Sequence, residues 1–367
     1  MKILIEKKRD INFELLRILL MLFVIMMHFL GHGKVLQLAK FNTIDYYIYW
    51  LFRAMAYPCV NCFVFLSGYY MTKSSLKISK ICRLELQVLF YAIVLWIITI
   101  LVGGRTFAVK DFLYSITPVC SNIYWYVTAY ILLLIISPLF NHAIANMTKK
   151  MYLLILAVLI FYTSMLPTFF YWTRNYISKG RDLLWFIVLY LIAGYIKKYN
   201  VKWRKRTSIL VYSLCCLSMV LSNAVVGNIT LIFLGNIKAV DILYMNNSPI
   251  ILIESVALFL FFKEMKVEKL NGNNHVIYIS AMSFGAYLFH ENIFFREWLW
   301  KTVNPSRYIY DNFAIIKTLI FMLITVISIF FMGVILEIFR TKLFKISGIT
   351  KIEHFIANKI DNQIMTK

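Results

Sequence analysis

The chain has 367 residues; 61% are hydrophobic, 17% aromatic and only 15% charged, against about 25% charged in a soluble domain. That excludes a water-soluble globule, whose surface needs polar cover, and a disordered chain, which is poor in aromatics. The net charge of +22 does not indicate a nucleic-acid partner. The lysines and arginines stand in short clusters between apolar runs and collect into no groove-sized patch.

The apolar runs predict an all-α polytopic membrane protein of about ten transmembrane helices, each able or nearly able to cross roughly 30 Å of hydrocarbon. In chain order they are residues 13–31, 47–71, 84–103, 122–141, 151–170, 183–197, 208–226, 248–263, 276–296 and 314–339. The first is too long for a cleavable signal peptide, and Gly31-His32-Gly33 offers no cleavage pattern. The sixth and eighth are short. The patch from Ile229 to Leu234 reads either as a re-entrant piece or as an extension of the seventh. Of the loop and tail cations, 25 fall on the side that carries Lys2, Lys7, Lys8, Arg9, Lys77 and Lys202, and 11 on the other. Lys and Arg accumulate on the cytoplasmic face, so both termini are expected there. Residues 1–340 are expected to form one transmembrane domain. Residues 341–367 read as a cytoplasmic amphipathic tail with Phe344, Ile346, Ile352 and Phe355 on its apolar side. Cys59 and Cys62 have CxxC spacing but follow Pro58 in mid-span with no second pair, so they read as packing residues.

Ionisable side chains are costly in a bilayer, which makes those inside the runs the candidate functional residues. The first span carries Glu14, Arg17 and His28. Eleven positions at 100° come within about 20° of three full turns, so Arg17 and His28 share a face, roughly 16 Å apart. Glu14, three residues before Arg17, is a local ion-pair partner. Alone, Arg17 reads equally as a snorkelling anchor, and His28 as a core histidine bonded to a neighbouring helix. A cation and a buried base on one face favour function, although a transporter fits the pair as well. The ninth span supplies His290 and Glu291, followed by Asn292 and Arg296, at a depth where His28 and His290 could meet. The plainer reading has Glu291 and Asn292 capping the outer interface. Span two places Asn61 near mid-depth and Ser67-Gly68-Tyr69 near the level of Arg17. Gly68 allows close approach of a ligand or, equally, tight helix packing. Trp125 and Tyr126 read as aromatic-belt residues. His32, His142, His275 and His354 fall at span ends or in loops, where solvated histidine is the default.

Four segments in order resemble the integral-membrane acyltransferase-3 family, closest to its bacterial branch of cell-surface polysaccharide O-acyltransferases. They are Asn12-Phe13-Glu14-Leu15-Leu16-Arg17 with His28; Val60-Asn61 through Ser67-Gly68-Tyr69; Tyr124-Trp125-Tyr126 through Tyr130 to Pro138 and Asn141; and Ser283 through Gly285 and Tyr287 to His290. Each motif alone is weak, and four in order along almost the whole chain are fairly specific. The resemblance implies a multi-pass protein of the bacterial plasma membrane. Such a protein takes an acyl group, commonly acetyl, from acyl-CoA on the cytoplasmic side and passes it to a hydroxyl of a glycan or lipid-linked glycan. Acyl-CoA is then a donor substrate, with no permanently bound cofactor and no metal expected. Glycan acceptor and membrane lipids are the other partners. By the same resemblance Arg17 is the donor-binding arginine, His28 the essential histidine, and Ser67-Gly68-Tyr69 the donor-proximal turn. Glu14, Asn61, Trp125, Tyr126, His290 and Glu291 are carried as substrate or supporting residues. Two departures stand out. Arg83 is followed by Leu84-Glu85-Leu86 rather than by a second nearby arginine. An appended esterase-like domain, which some members carry, is also missing, so the membrane bundle is expected to complete the reaction alone.

The chemistry agrees in kind. Coenzyme A is an anionic rod ending in a thioester, and it suits a cation at one end of a helix face with a base further along. His28 either removes the acceptor's proton as general base or is itself acylated. The rival reading is a transporter or flippase of a polysaccharide intermediate, favoured by Pro58, Pro138 and Pro167 in the spans and disfavoured by the lack of an internal repeat.

Overall fold

The computed structural model describes residues 10–72, 76–170, 179–267, 274–353, 355, 359 and 361. Lys2, Lys7, Lys8, Arg9 and His354 lie outside them. The described residues form helices and no strand: α1 (Ile11–Gly31), α2 (Val35–Leu38), α3 (Ile44–Ala56), α4 (Cys59–Met71), α5 (Ile78–Leu101), α6 (Val109–Ile116), α7 (Trp125–Asn146) and α8 (Lys149–Ile160). After a π-helical turn at Phe161–Met165 come α9 (Leu166–Phe169), α10 (Leu183–Lys198), α11 (Lys205–Leu234), α12 (Pro249–Lys263), α13 (Asn274–Met282), α14 (Phe284–His290), α15 (Arg296–Val303) and α16 (Ala314–Ile346). Backbone groups in hydrocarbon must be satisfied within the segment, and a helix does this without a partner strand.

Among the described residues, seven stretches are long and apolar enough to cross a bilayer: α1, α3 with α4, α5, α7, α8 through α9, α11 and α16. The other three expected spans are shorter. α10 has 16 residues and α12 has 15, and the ninth run breaks into α13 and α14 at Ser283. These pieces are enclosed: Trp185, Phe186, Val188, Leu189, Tyr190 and Ala193 of α10 are fully buried, as are Ile251, Ala257, Phe259 and Leu260 of α12. Short or broken helix is tolerated at membrane depth where protein, not lipid, meets its ends. α11 runs without a break to Leu234 and ends on Gly235 in the left-handed region (φ 67). The Ile229–Leu234 patch therefore extends the seventh run and is not re-entrant.

α1 is the hub, packed against α3, α4, α12, α13, α14 and α16. Small residues bring the helices that carry the site close to one another. A Cβ on Gly333 of α16 would fall 2.2 Å from the Cα of Ala286 in α14, and one on Gly285 would fall 2.7 Å from the carbonyl of Gly333. Lipid tails are as apolar as leucine, so such close van der Waals packing is what holds helices together in a bilayer. α16 continues past the expected end of the tenth span to Ile346, and Arg340 is buried in a two-pronged pair with Glu337. Beyond it, Glu353 accepts from Arg83 at 2.6 Å and Asp361 accepts from the backbone N–H of Ile78 at 2.8 Å. In the expected amphipathic tail Phe344 is buried, while Ile346, Ile352 and Phe355 are exposed.

Candidate active site

A cavity of about 560 Å³ lies alongside α1. Arg17 and Ser67 line one end, His28, Trp125, Tyr126 and Tyr287 its length, and His32, Arg53, Arg181 and Arg296 the other end. The helical period forces this arrangement: Arg17 and His28 recur on one stripe of α1, and α13 and α14 lie along that stripe.

At the first end, Arg17 Nη1 donates to Glu14 Oε1 at 2.6 Å, and Ser280 Oγ donates to the other Glu14 oxygen at 2.6 Å. Glu14 is buried, whereas the Arg17 side chain is 30% exposed. The carboxylate thus aims the guanidinium, whose other N–H donors meet no acceptor among the described residues.

At the centre, the hydrogen bonds assign the histidine tautomers. His290 Nδ1 lies 2.5 Å from the carbonyl oxygen of Ala286, and a carbonyl only accepts, so Nδ1 carries the proton. In the neutral ring, His290 Nε2 is then an acceptor. It lies 2.9 Å from His28 Nδ1, which must donate to it. His28 Nε2 is left as an unprotonated nitrogen with no hydrogen-bond partner among the described residues, on a side chain 22% exposed to the cavity. Glu291 completes the group. One of its oxygens lies 3.3 Å from His28 Nδ1 and 3.0 Å from His32 Nε2, and the other accepts from Arg296 at 3.2 Å. Asn292 accepts from the backbone N–H groups of Phe294 and Phe295 and donates to the Tyr124 hydroxyl. That turn holds Glu291 inward. Its carboxylate faces the Nδ1 edge of the His28 ring.

Ligand atoms of His28, His32 and Glu291 lie within 4.8 Å of one another, a spacing that could hold a divalent cation. The proton placed on His28 Nδ1 makes that nitrogen a donor, which suits proton transfer better than ligation.

The residues expected from sequence divide into two groups. Arg17, His28, Ser67, Trp125, Tyr126 and Glu291 all line the cavity, and His290 stands directly behind His28. Asn61 instead donates to the carbonyl of Asn246 and to Ser255 Oγ, and accepts from the Trp185 indole, bracing α4 against α10 and α12. A Cβ on Gly68 would lie 2.9 Å from the Cβ of Ala193, so the glycine lets α4 pack closely on α10. Tyr69 packs in tilted and edge-on contacts with Phe13, Tyr70 and Phe259, with Lys197 Nζ 4.0 Å from its ring centroid. Neither Gly68 nor Tyr69 lines the cavity. Of the other lining residues, Arg53 and Arg181 were not singled out from sequence, Tyr287 figured only within a motif, and His32 was read as a solvated histidine. His32 is one helical turn beyond His28, a signal that was present but masked by its position at the span end.

With this geometry in view, the family comparison is decisive. The family model described as an acyltransferase domain matches residues 10–337. The chain belongs to the acyltransferase-3 family. The match takes in α1 through most of α16, and so every residue of the cavity. No curated protein and no solved structure matches the chain. This acyltransferase-3 chain is a multi-pass membrane acyltransferase.

Proposed function

We propose that the protein is an O-acyltransferase of the bacterial plasma membrane with both termini cytoplasmic. It moves an acyl group, most simply acetyl, from acyl-CoA to a hydroxyl of a cell-surface polysaccharide or its lipid-linked precursor. The observation that carries this is the free, unprotonated His28 Nε2 inside a cavity with Arg17 at one end.

The donor enters at the Arg17 end, where the guanidinium meets its phosphates and the pantetheine arm extends along the α1 stripe. The acceptor reaches His28 from the opposite end. His28 Nε2 takes the hydroxyl proton as the oxygen attacks the thioester carbonyl, and Glu291 stabilises the resulting imidazolium. The tetrahedral intermediate collapses with cleavage of the C–S bond. The thiolate leaves, the ester remains, and the proton passes from His28 to the thiolate.

The test is transfer of label from acetyl-CoA by the purified protein in nanodiscs, compared with His28→Gln. Glutamine keeps bulk and hydrogen bonding but takes up no proton at neutral pH. General-base loss lowers the rate about 100- to 10,000-fold. Near-normal transfer by His28→Gln overturns the assignment, and glycan movement without thioester loss makes the protein a transporter.

A further inference from the structure

The end of the cavity beyond His28 holds more positive charge than proton transfer uses. Arg53 stands 5.4 Å from the Trp50 ring centroid and 5.7 Å from that of Tyr57, and its buried Nε has no hydrogen-bond partner among the described residues. Arg181 is exposed, 5.8 Å over the Trp125 ring. Neither arginine has a carboxylate partner among the described residues. Arg296 has Glu291, which already faces two histidines. A second cleft of about 640 Å³ continues from this end: His32 and Arg296 line both spaces, and Lys34 and Lys301 line the second against Glu297.

Cations crowded into a cleft with apolar walls focus an attractive field on an anion. Aromatic faces are the neighbours of Arg53 and Arg181, and with no carboxylate among the described residues to neutralise them their charge stays available to an anionic ligand. A neutral sugar hydroxyl needs no such field, whereas the guanidinium fork matches a phosphate or carboxylate. We propose that this end of the cavity is an acceptor subsite for an anionic glycan, in which Arg53 and Arg181 hold a phosphate or carboxylate near the hydroxyl that faces His28. The inference rests on the acyl-transfer reading above and names its acceptor class.

The experiment measures binding of three probes to the full chain in phosphatidylcholine nanodiscs: tetragalacturonate, a glycerol phosphate tetramer and neutral maltotetraose. Acetyl-CoA affinity is measured separately. One anionic probe should bind at least about tenfold tighter than maltotetraose, with the preference weakening as salt rises; which probe does so identifies carboxylate or phosphate. The double variant Arg53→Gln/Arg181→Gln should lose that preference, and Arg53→Lys/Arg181→Lys should keep part of it. Acetyl-CoA affinity and melting temperature should hold in both. Equal binding of maltotetraose overturns the proposal, as does an unchanged preference in the glutamine variant. A fall in acetyl-CoA affinity assigns this end to the donor. Loss of copurifying phospholipid with no change in probe binding makes the arginines lipid anchors. Should the wild-type protein bind no acetyl-CoA yet prefer the anionic probe, the transfer reading fails and the subsite stands.

Discussion

Arg17 and His28 differ in how their neighbours prepare them. Arg17 is aimed by one bond to Glu14, which Ser280 holds in turn. Arg17→Ala should therefore raise the donor KM, measured with acetyl-CoA. Arg17→Lys should recover only part of the loss, because an ammonium keeps the charge but cannot serve Glu14 and a phosphate with one planar fork. Unchanged donor affinity in Arg17→Ala would make it a snorkelling anchor. In the proposed mechanism Glu291 acts through His28, as a positioning residue. Glu291→Gln removes a charged hydrogen-bond partner, worth about 1.5–3 kcal/mol, or roughly 10- to 150-fold in rate. The loss should appear in kcat with little change in donor KM. An equal loss in both parameters would place Glu291 on the donor path.

The helices decide whether those side chains meet. His290 and Glu291 are delivered by α14, which has only seven residues and leans on α16 where Gly285 and Gly333 remove the side chains that would intervene. Gly333→Ala puts a methyl carbon 2.2 Å from the Cα of Ala286, which backbone cannot absorb in place. Overpacking of this kind costs about 1–3 kcal/mol. The variant should melt lower in detergent and lose kcat, since α14 must move away from α1. Gly68→Ala separates two readings of the second motif. Packed on Ala193, the glycine should affect melting temperature first; a raised donor KM at unchanged melting temperature would return it to the donor site.

For the whole molecule, the charge bias along the chain predicts an orientation. Single cysteines introduced near Lys77 and Lys202 should be labelled by a membrane-impermeant maleimide only after the membrane is opened. Labelling of either in intact cells would invert the protein, placing Arg17 at the outer face and the cationic end inside. The pairing of Arg83 with Glu353, and of Asp361 with the start of α5, ties the segment after α16 back to the bundle.

Composition and the 3.6-residue period were enough to place this chain in a membrane, make it all helix, and put Arg17 and His28 on one stripe. These features follow from local sequence: burial in lipid demands apolar runs, and a helix repeats its face without reference to anything distant. Span length was legible only where helices are long and apolar throughout. α10, α12 and the broken α13–α14 depend on being enclosed by other helices, and enclosure is not written in any one segment. The proton chain from Ala286 through His290 to His28 joins residues 262 positions apart, so the identity of the free nitrogen was a matter of packing. The same holds for Gly68, expected in the donor-proximal turn, and Asn61, expected as a substrate or supporting residue. Their neighbours on α10 and α12 turned them into helix contacts, because a small or amide side chain serves whichever surface the fold brings against it.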